Sequence, residues 1–455
     1  MELSGLIPAE AINRGPQWLS GTGPEADVVI SSRIRLARNL AGRPFPARST
    51  LALRAATLQT IRDQLLSATI PLHASAPLPP APGQPPGQAS GQTSGQPPAA
   101  PPGQSALSTP RLAWADVHTM SALDRSLLVE RHLMSKEHAK GKGLSGSTLA
   151  TALVAASAPA SSSADSNKRP PEPQTTLPDP RGIAVSLPDE TLAVMVNEED
   201  HLRVQVLLSG LSLSQAWTRI DAIDDAIEGV TRVAGGRSRT VLAAGANASG
   251  GTSTGGGLQF AYSPRFGYLT ACPTNVGCAV RMSVMVHLPA LRLTAEIDKV
   301  RRACKDMNLA LRGFYGEGSE TSGDLYQISN QGAFGKPEKS VLYEIEREIV
   351  PAIVRYERTA RQQLLLTRRR MLEDQVMRAL GLLRYARMLT PEEALASLSL
   401  VRLGSLLGIV NIPEQSIAQL IVLTQPAHLQ RYLGKELDQQ RRREARADLV
   451  RERMS

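Results

Sequence analysis

Residues 23–40 read GPEADVVISSRIRLARNL, and the reading of this stretch decides the fold. Residues 27–31 (DVVIS) are rich in branched side chains and predict a β-strand. Carried on in extended form, the strand puts Arg33 and Arg35 on one face, because successive side chains alternate. Working outward, similar short strands are expected at 191–196 (TLAVMV), 267–271 and 280–286. Helices are expected at 124–133, 214–227, 289–307 and 339–359; in the last, Ile345, Ile349 and Ile353 recur at helical spacing. The pattern is a mixture of strands and helices.

After about Arg361 the chain reads as all-helical. Thr390-Pro391-Glu392-Glu393 places an N-cap threonine, a proline at the first helical position and a glutamate at the third, which is a capping box. Further helices are expected from Pro413 to just before Thr424-Gln425-Pro426, and over 439–454, which is rich in arginine. Two domains follow, 1–361 and 362–455. Within the first, residues near 74–110, 140–180 and 235–257 are dominated by Pro, Gly, Gln, Ser, Ala and Thr. Such composition buries too little apolar surface to offset its ordering entropy, so these are expected to be disordered insertions. Motifs on both sides of them belong to one site, so they are insertions rather than linkers.

The 455 residues hold 51 Lys+Arg against 42 Asp+Glu, a formal charge of +9, which favours anionic partners. Only 4% of residues are aromatic, too few to build stacking platforms for single-stranded nucleic acid. Cys272, Cys278 and Cys304 form neither a disulfide framework nor a zinc spacing. No secretory leader and no apolar run of membrane-spanning length is present, so a reducing, cytoplasmic setting is expected.

No GxxxxGK[ST] loop and no GxGxxG after a strand occurs, so neither phosphate-cradling loop is available. Arginines beside strand-like segments take their place. Besides Arg33 and Arg35, Arg203 follows NEEDHL, Arg281 follows CPTNVGCAV, and Arg312 opens RGFYGEGSE. A planar guanidinium binds phosphate oxygens through a fork, and several together could hold a triphosphate and offset charge on a transferring phosphoryl group. Glu199 and Glu317 are the candidate carboxylates. A guanidinium, with a pKa above about 12, attacks only if a base removes its proton, and a carboxylate pair both grips the cation and accepts that proton. Cys272 lies near the same segments, and a thiolate there would be stabilised by the arginines. His132 falls in the helical stretch VERHL.

Together, GPEADVVISSRIRLARNL, LLVERHLMS (127–135), VMVNEEDHLRVQ (194–205), FGYLTACPTNVGCAVRMSVMVHLPAL (266–291) and RGFYGEGSETSGDLYQISNQ (312–331) resemble the ATP:guanidino phosphotransferases. Within that family the resemblance is to the bacterial protein-arginine kinase branch. It implies an α+β fold, an antiparallel sheet flanked by helices as in the glutamine synthetase catalytic fold, followed by the helical C-terminal domain. It further implies that Ser31, Ser32, Arg33, Ile34, Arg35, His132, Arg203, Arg281, Met282, Ser283, Val284, Met285, Arg312, Gly313, Phe314, Tyr315, Gly316 and Glu317 line the ATP site. Glu199 and Glu317 match the family's substrate carboxylates and Cys272 its reactive cysteine. Mg2+ would bridge the phosphates without a dedicated set of protein ligands.

About thirty residues precede SSRIR, against about a hundred in kinases of small guanidines, so a protein-bound arginine is the expected acceptor. The resemblance also implies a homodimer and a phosphoarginine pocket at Arg442, Arg446 and Ala447, where Arg443 replaces the family's aspartate. A Clp-type unfoldase-protease, a heat-shock repressor and an activator protein are the implied partners, with a role in protein quality control under stress. Two alternatives stay open: an enzyme acting on free arginine or another small guanidine, and a basic adaptor binding through residues 441–453.

Overall fold

A computed structural model describes residues 6–68, 70, 111–140, 179–229, 231–233, 236–238, 257–314, 323–332, 335 and 337–454. The three expected insertions lie almost wholly outside these residues, as do Tyr315, Gly316 and Glu317.

Eight strands form one antiparallel sheet: β1 Val29–Arg38, β2 Arg111–Asp116, β3 Gly182–Leu187, β4 Leu192–Val196, β5 Leu202–Ser209, β6 Val280–His287, β7 Leu309–Gly313 and β8 Leu325–Asn330. Their order is β7-β8-β6-β1-β5-β4-β3-β2, so β1 sits near the centre. The SSRIR stretch is therefore mid-strand, with β6 on one side and β5 on the other. The strand expected at 267–271 shrinks to Gly267–Tyr268, which pairs with Tyr262–Ser263 outside the main sheet.

Side-chain alternation splits the sheet by residue parity. Even-numbered Ile34, Leu36, Val204, Val206, Met282, Val284 and Ile328 are buried in the main core. Helices α1 Leu51–Ser67 and α3 Leu213–Glu228 contribute Ile61, Ile220 and Ile223 to it, and α5 Val350–Thr367 contributes Val350 and Val354. Burying each such side chain is worth about 1.5–3 kcal/mol, which locks the register. A slip of one residue would turn the arginines inward.

The odd-numbered face is covered at its margins by other helices. Leu207, Met285 and Leu325 pack with Leu380, Leu398 and Ile417 of α6 Arg369–Tyr385, α7 Pro391–Leu406 and α8 Glu414–Leu423. Ile183, Val185 and Met195 pack with Leu128 of α2 Ala122–Glu130 and with Leu429 of α9 Pro426–Leu433. The last helix, α10 Gln439–Met454, adds Val450 and Leu449 to these two clusters. What remains of this face carries the arginines.

Two expected helices differ in detail. The one at 289–307 breaks into Pro289–Leu293 and α4 Ile297–Asp306, because Ala295 is left-handed (φ 58°) and Glu296 N–H turns back to the Leu291 carbonyl at 2.7 Å. The one at 339–359 extends from Glu338 to Thr367 and includes a π-helical turn, Glu344–Ile349, just before Pro351. Proline lacks the N–H that α-helical bonding would need there, and the wider turn accommodates it. The boundary expected at 361/362 falls inside α5; the helical break is at Arg368. At Thr390 the capping box is formed in both directions, Glu393 N–H to Thr390 Oγ1 at 3.1 Å and Thr390 N–H to Glu393 Oε2 at 2.9 Å.

The C-terminal helices are joined to the sheet domain by buried hydrogen bonds as well as by apolar contact. Arg131, fully buried at the end of α2, donates to Glu190 at 2.5 and 2.6 Å and to His428 Nε2 of α9 at 2.8 Å. Its neighbour Glu130 accepts the Ala427 and His428 N–H groups at 2.8 and 2.9 Å, capping α9 across the domain seam.

Candidate active site

The register brings the odd-numbered polar residues of β1, β5, β6 and β8 into one surface with even-numbered Arg312 of β7, whose pairing with β8 reverses the parity. Arg35 lies opposite Arg281 on β6 and Gln205 on β5, while Ala37 lies opposite Arg203. On the far side Met285 faces Gln327, and Gln327 faces Arg312. Five arginines from four strands thus line one open cavity of about 530 Å³. Its wall is completed by Val129, His132 and Lys136 near α2, by Glu198 and Glu199 from the β4–β5 turn, and by Cys272 and Asn275. A second cavity, about 780 Å³, lies between residues 14–24 and α8 and lacks this convergence of charge.

Six cationic side chains and three carboxylates line the smaller cavity: Arg33, Arg35, Arg203, Arg281, Arg312 and Lys136 against Glu137, Glu198 and Glu199. Burial, and then the nearby Arg281 and Arg203, lower the Arg33 pKa to about 10. Arg35 is driven well below its usual value by burial and by Arg33, Arg203 and Arg281, with Glu198 opposing. The arginines therefore repel one another, and a polyanion placed among them would relieve that repulsion. Arg33 Nε reaches Ser283 Oγ at 3.4 Å and Arg281 Nη2 reaches Ser329 Oγ at 3.1 Å, so neutral hydroxyls orient two of the forks.

The carboxylates are positioned by the β4–β5 turn. Asn197 at its start is left-handed (φ 60°), and its side chain donates to the Arg54 and Pro180 carbonyls at 2.8 and 2.9 Å. Glu198 is buried against Arg203 at 2.8 Å and accepts Ser135 Oγ–H. Glu199 is 45% exposed and stands 3.6 Å from Arg203 Nη2. Asp200 Oδ1 accepts Asn39 Nδ2–H at 2.6 Å and Ala271 N–H at 2.7 Å, which fixes the cysteine loop to the same turn. Cys272 Sγ lies 3.0 Å from Thr274 Oγ1. Glu199 and the thiol thus face one space from two anchored loops.

Not every residue expected in the nucleotide site faces it. Ser32, Ile34, Met282 and Val284 have even parity and point away, a correction to the sequence expectation. Ile34, Met282 and Val284 are core residues, and Ser32 Oγ donates to the Gly210 carbonyl at 2.8 Å. Ser31, Ser283 and Met285 are buried beside Arg33 and His132 around a void of only about 10 Å³. Gly313 and Phe314 are buried at the end of β7, Phe314 with its ring against His132. Arg38, which the sequence does not distinguish from Arg35, is on the other face, where its fork binds Asp224 at 2.8 Å and its guanidinium lies 3.5 Å over the Tyr268 ring. Gln205, Gln327, Lys136 and Glu198 line the cavity but were not expected from the sequence; the parity of Gln205 and Gln327 on their strands was the available signal.

Arg442, Arg446 and Ala447 line neither cavity. Arg446 is buried, with its fork on the Thr424 and Leu389 carbonyls at 2.6 and 2.8 Å, and Arg442 donates to the Leu437 carbonyl at 2.8 Å. Among the described residues, no group of three or more His, Cys, Asp or Glu side chains could hold a metal ion.

Residues 106–360 match the family described as ATP:guanido phosphotransferase, C-terminal catalytic domain. The chain belongs to this family. It is a guanidino kinase, and residues 369–455 match the Protein-arginine kinase McsB C-terminal domain. The chain is 37% identical over 440 residues to the protein-arginine kinase of Symbiobacterium thermophilum, covering 96% of each sequence. It is 34% identical over 440 residues to that of Halothermothrix orenii, again covering 96% of each. Among solved structures it is similar to a lombricine kinase, with a TM-score of 0.47 at 19% identity over 77% of this chain and 75% of that one. Among the described residues, no helix is long and apolar enough to cross a membrane.

Histidine burial gives this kinase a defined acid response. Burial, then Arg33, Lys136 and Arg35, lower the His132 pKa to about 3. Burial likewise takes His138 to about 3 and His201 to about 4. The folded state therefore binds fewer protons than the unfolded chain below the ordinary value of 6.5. Its stability is full above that pH and falls as pH drops, by about 1.4 kcal/mol per unit for each ring. Burial also holds His287 and His428 well below their ordinary value, while Glu130, raised from 4.5 to about 7, acts oppositely together with Glu190, Asp200 and Glu357, so five neutral rings face four raised carboxyls. Urea unfolding should show lower stability at pH 5.5 than at pH 7.5. Equal stability at both would contradict the neutral burial of these rings.

Proposed function

We propose that the chain transfers the γ-phosphoryl group of ATP to the guanidinium of arginine residues in proteins. The observation that carries this reading is the convergence of five arginines and Glu199 on one cavity, a site that pairs polyanion binding with a carboxylate for a cationic acceptor. Arg33, Arg35, Arg203, Arg281 and Arg312 would hold the triphosphate and offset charge on the moving phosphoryl group. Glu199, with Glu317, would hold the acceptor guanidinium in line and take its proton as the N–P bond forms and the bond to the ADP oxygen breaks. Mg2+ would ride on the phosphates and offset their charge.

The protein-bound acceptor is supported by the names of the relatives and by the C-terminal helical domain shared with them. We further propose a cytoplasmic homodimer that marks proteins for a Clp-type protease during stress, with a heat-shock repressor among its targets and an activator protein among its regulators. Phosphoarginine binding at Arg442, Arg446 and Ala447 would require the Arg446 fork to leave its backbone carbonyls.

The test offers the enzyme free arginine and an unfolded arginine-rich protein at equal guanidine concentration. Products are read by mass spectrometry at neutral or basic pH, since phosphoarginine is acid-labile. Phosphoarginine on the protein, with little transfer to the amino acid, is expected. A clear preference for free arginine would overturn the protein-kinase reading and leave the guanidino kinase intact.

A further inference from the structure

His132 sits in the cavity wall in an unusual state. Its backbone is left-handed (φ 60°), a conformation that a non-glycine residue holds only when its surroundings enforce it. Its carbonyl and that of Leu133 accept Gln205 Nε2–H at 2.7 and 3.2 Å, from the strand that also carries Arg203. Its ring is held edge-to-face between two aromatics, Trp18 at 5.0 Å and 76° and Phe314 at 5.0 Å and 75°.

Trp18 is the fixed member of this stack. It lies in the short 3-10 turn Gln17–Leu19, is 1% exposed, and donates its indole N–H to the Arg131 carbonyl at 3.1 Å. That bond anchors the indole to the peptide immediately before His132. The void between Trp18, His132, Arg33 and Gln327 is only about 10 Å³, so the indole backs the ring closely on one side while its other side faces the cavity of about 530 Å³.

We propose that Trp18 is a positioning residue for nucleotide binding: it sets the ring of His132, and through that ring the N-terminal segment controls affinity for ATP. The inference rests on the ATP reading of the cavity. The neutral imidazole contributes shape and hydrogen-bonding groups to the wall rather than charge. Displacing it should therefore weaken ground-state nucleotide binding and leave the chemical step alone.

Trp18→Phe keeps an aromatic ring but deletes the N–H. The expected result is a KM for ATP raised roughly three- to tenfold, the effect of about one hydrogen bond, with kcat within about twofold. Two readouts separate positioning from simple packing. In the nucleotide-free protein, the His132 imidazole NMR signals, assigned by their loss in His132→Asn, should move in Trp18→Phe. In Trp114→Phe/Trp217→Phe, which leaves Trp18 as the sole tryptophan, emission should shift on saturation with ATP. Unmoved His132 signals, or equal ATP affinity by calorimetry in the wild type and Trp18→Phe, would overturn the proposal alone. Failure of ATP to bind either protein would overturn the nucleotide reading, and the proposal with it.

Discussion

Glu199→Gln is expected to lower phosphoryl transfer to arginine roughly 10²–10⁴-fold while ATP still binds. Glutamine keeps the size of the side chain and can still hydrogen-bond a guanidinium. It can neither balance the acceptor's charge nor take its proton, and an arginine that keeps its proton has no lone pair in line for attack. The folded state should barely notice. Glu199 is 45% exposed, and its pair with Arg203 is at 3.6 Å, a geometry worth about 0–1 kcal/mol. Glu198, one residue earlier, makes the contrasting case: it is buried at 2.8 Å from Arg203 and holds Ser135, so its replacement should disturb the pocket itself. The measurement is N–P product by mass spectrometry alongside ATP calorimetry and urea unfolding. Undiminished transfer by Glu199→Gln would remove this carboxylate from the mechanism.

The second large effect concerns stability at the domain seam. Arg131→Met should cost about 3–5 kcal/mol, because it leaves Glu190 buried without its cation. Side-chain exposures there are 0% and 1%, so water cannot take the place of the guanidinium. The loss should be larger than for a solvated surface pair. Arg378 and Asp374 on α6 provide that control, at 80% and 58% exposure, where Arg378→Met should cost less than about 1 kcal/mol. Urea midpoints of the two variants make the comparison. Similar losses would mean that the Arg131–Glu190 pair contributes no more than a solvated one. Because Arg131 also donates to His428 of α9, the same variant should loosen the C-terminal helices from the sheet domain.

Much of the architecture was readable from local pattern. The branched run before SSRIR, the helical spacing of Ile345, Ile349 and Ile353, and the Thr390–Glu393 box depend on near neighbours, and all three appear where expected. The site was readable in part. Arg33 and Arg35 share a face because any strand alternates, and the parity of Arg203, Arg281 and Arg312 becomes meaningful only once register is known. Register is a tertiary quantity: burial of Ile34, Val206 and Val284 on the opposite face sets it. That is why Ser32, Ile34, Met282 and Val284, adjacent to site residues in sequence, face away from the cavity.

By itself, then, the sequence determined the kinds of element, the capped helix and the set of cationic and acidic side chains available for chemistry. Spacing along a chain carries that much, because propensity, alternation and capping act over a few residues. Only the tertiary structure decided which arginines converge. It separated Arg35 in the cavity from Arg38, whose fork binds Asp224 on α3. It also brought Trp18 against His132 across more than a hundred residues, and seated α9 on Glu130. Those contacts are chosen by which faces exclude water together, and no local stretch of sequence contains that information.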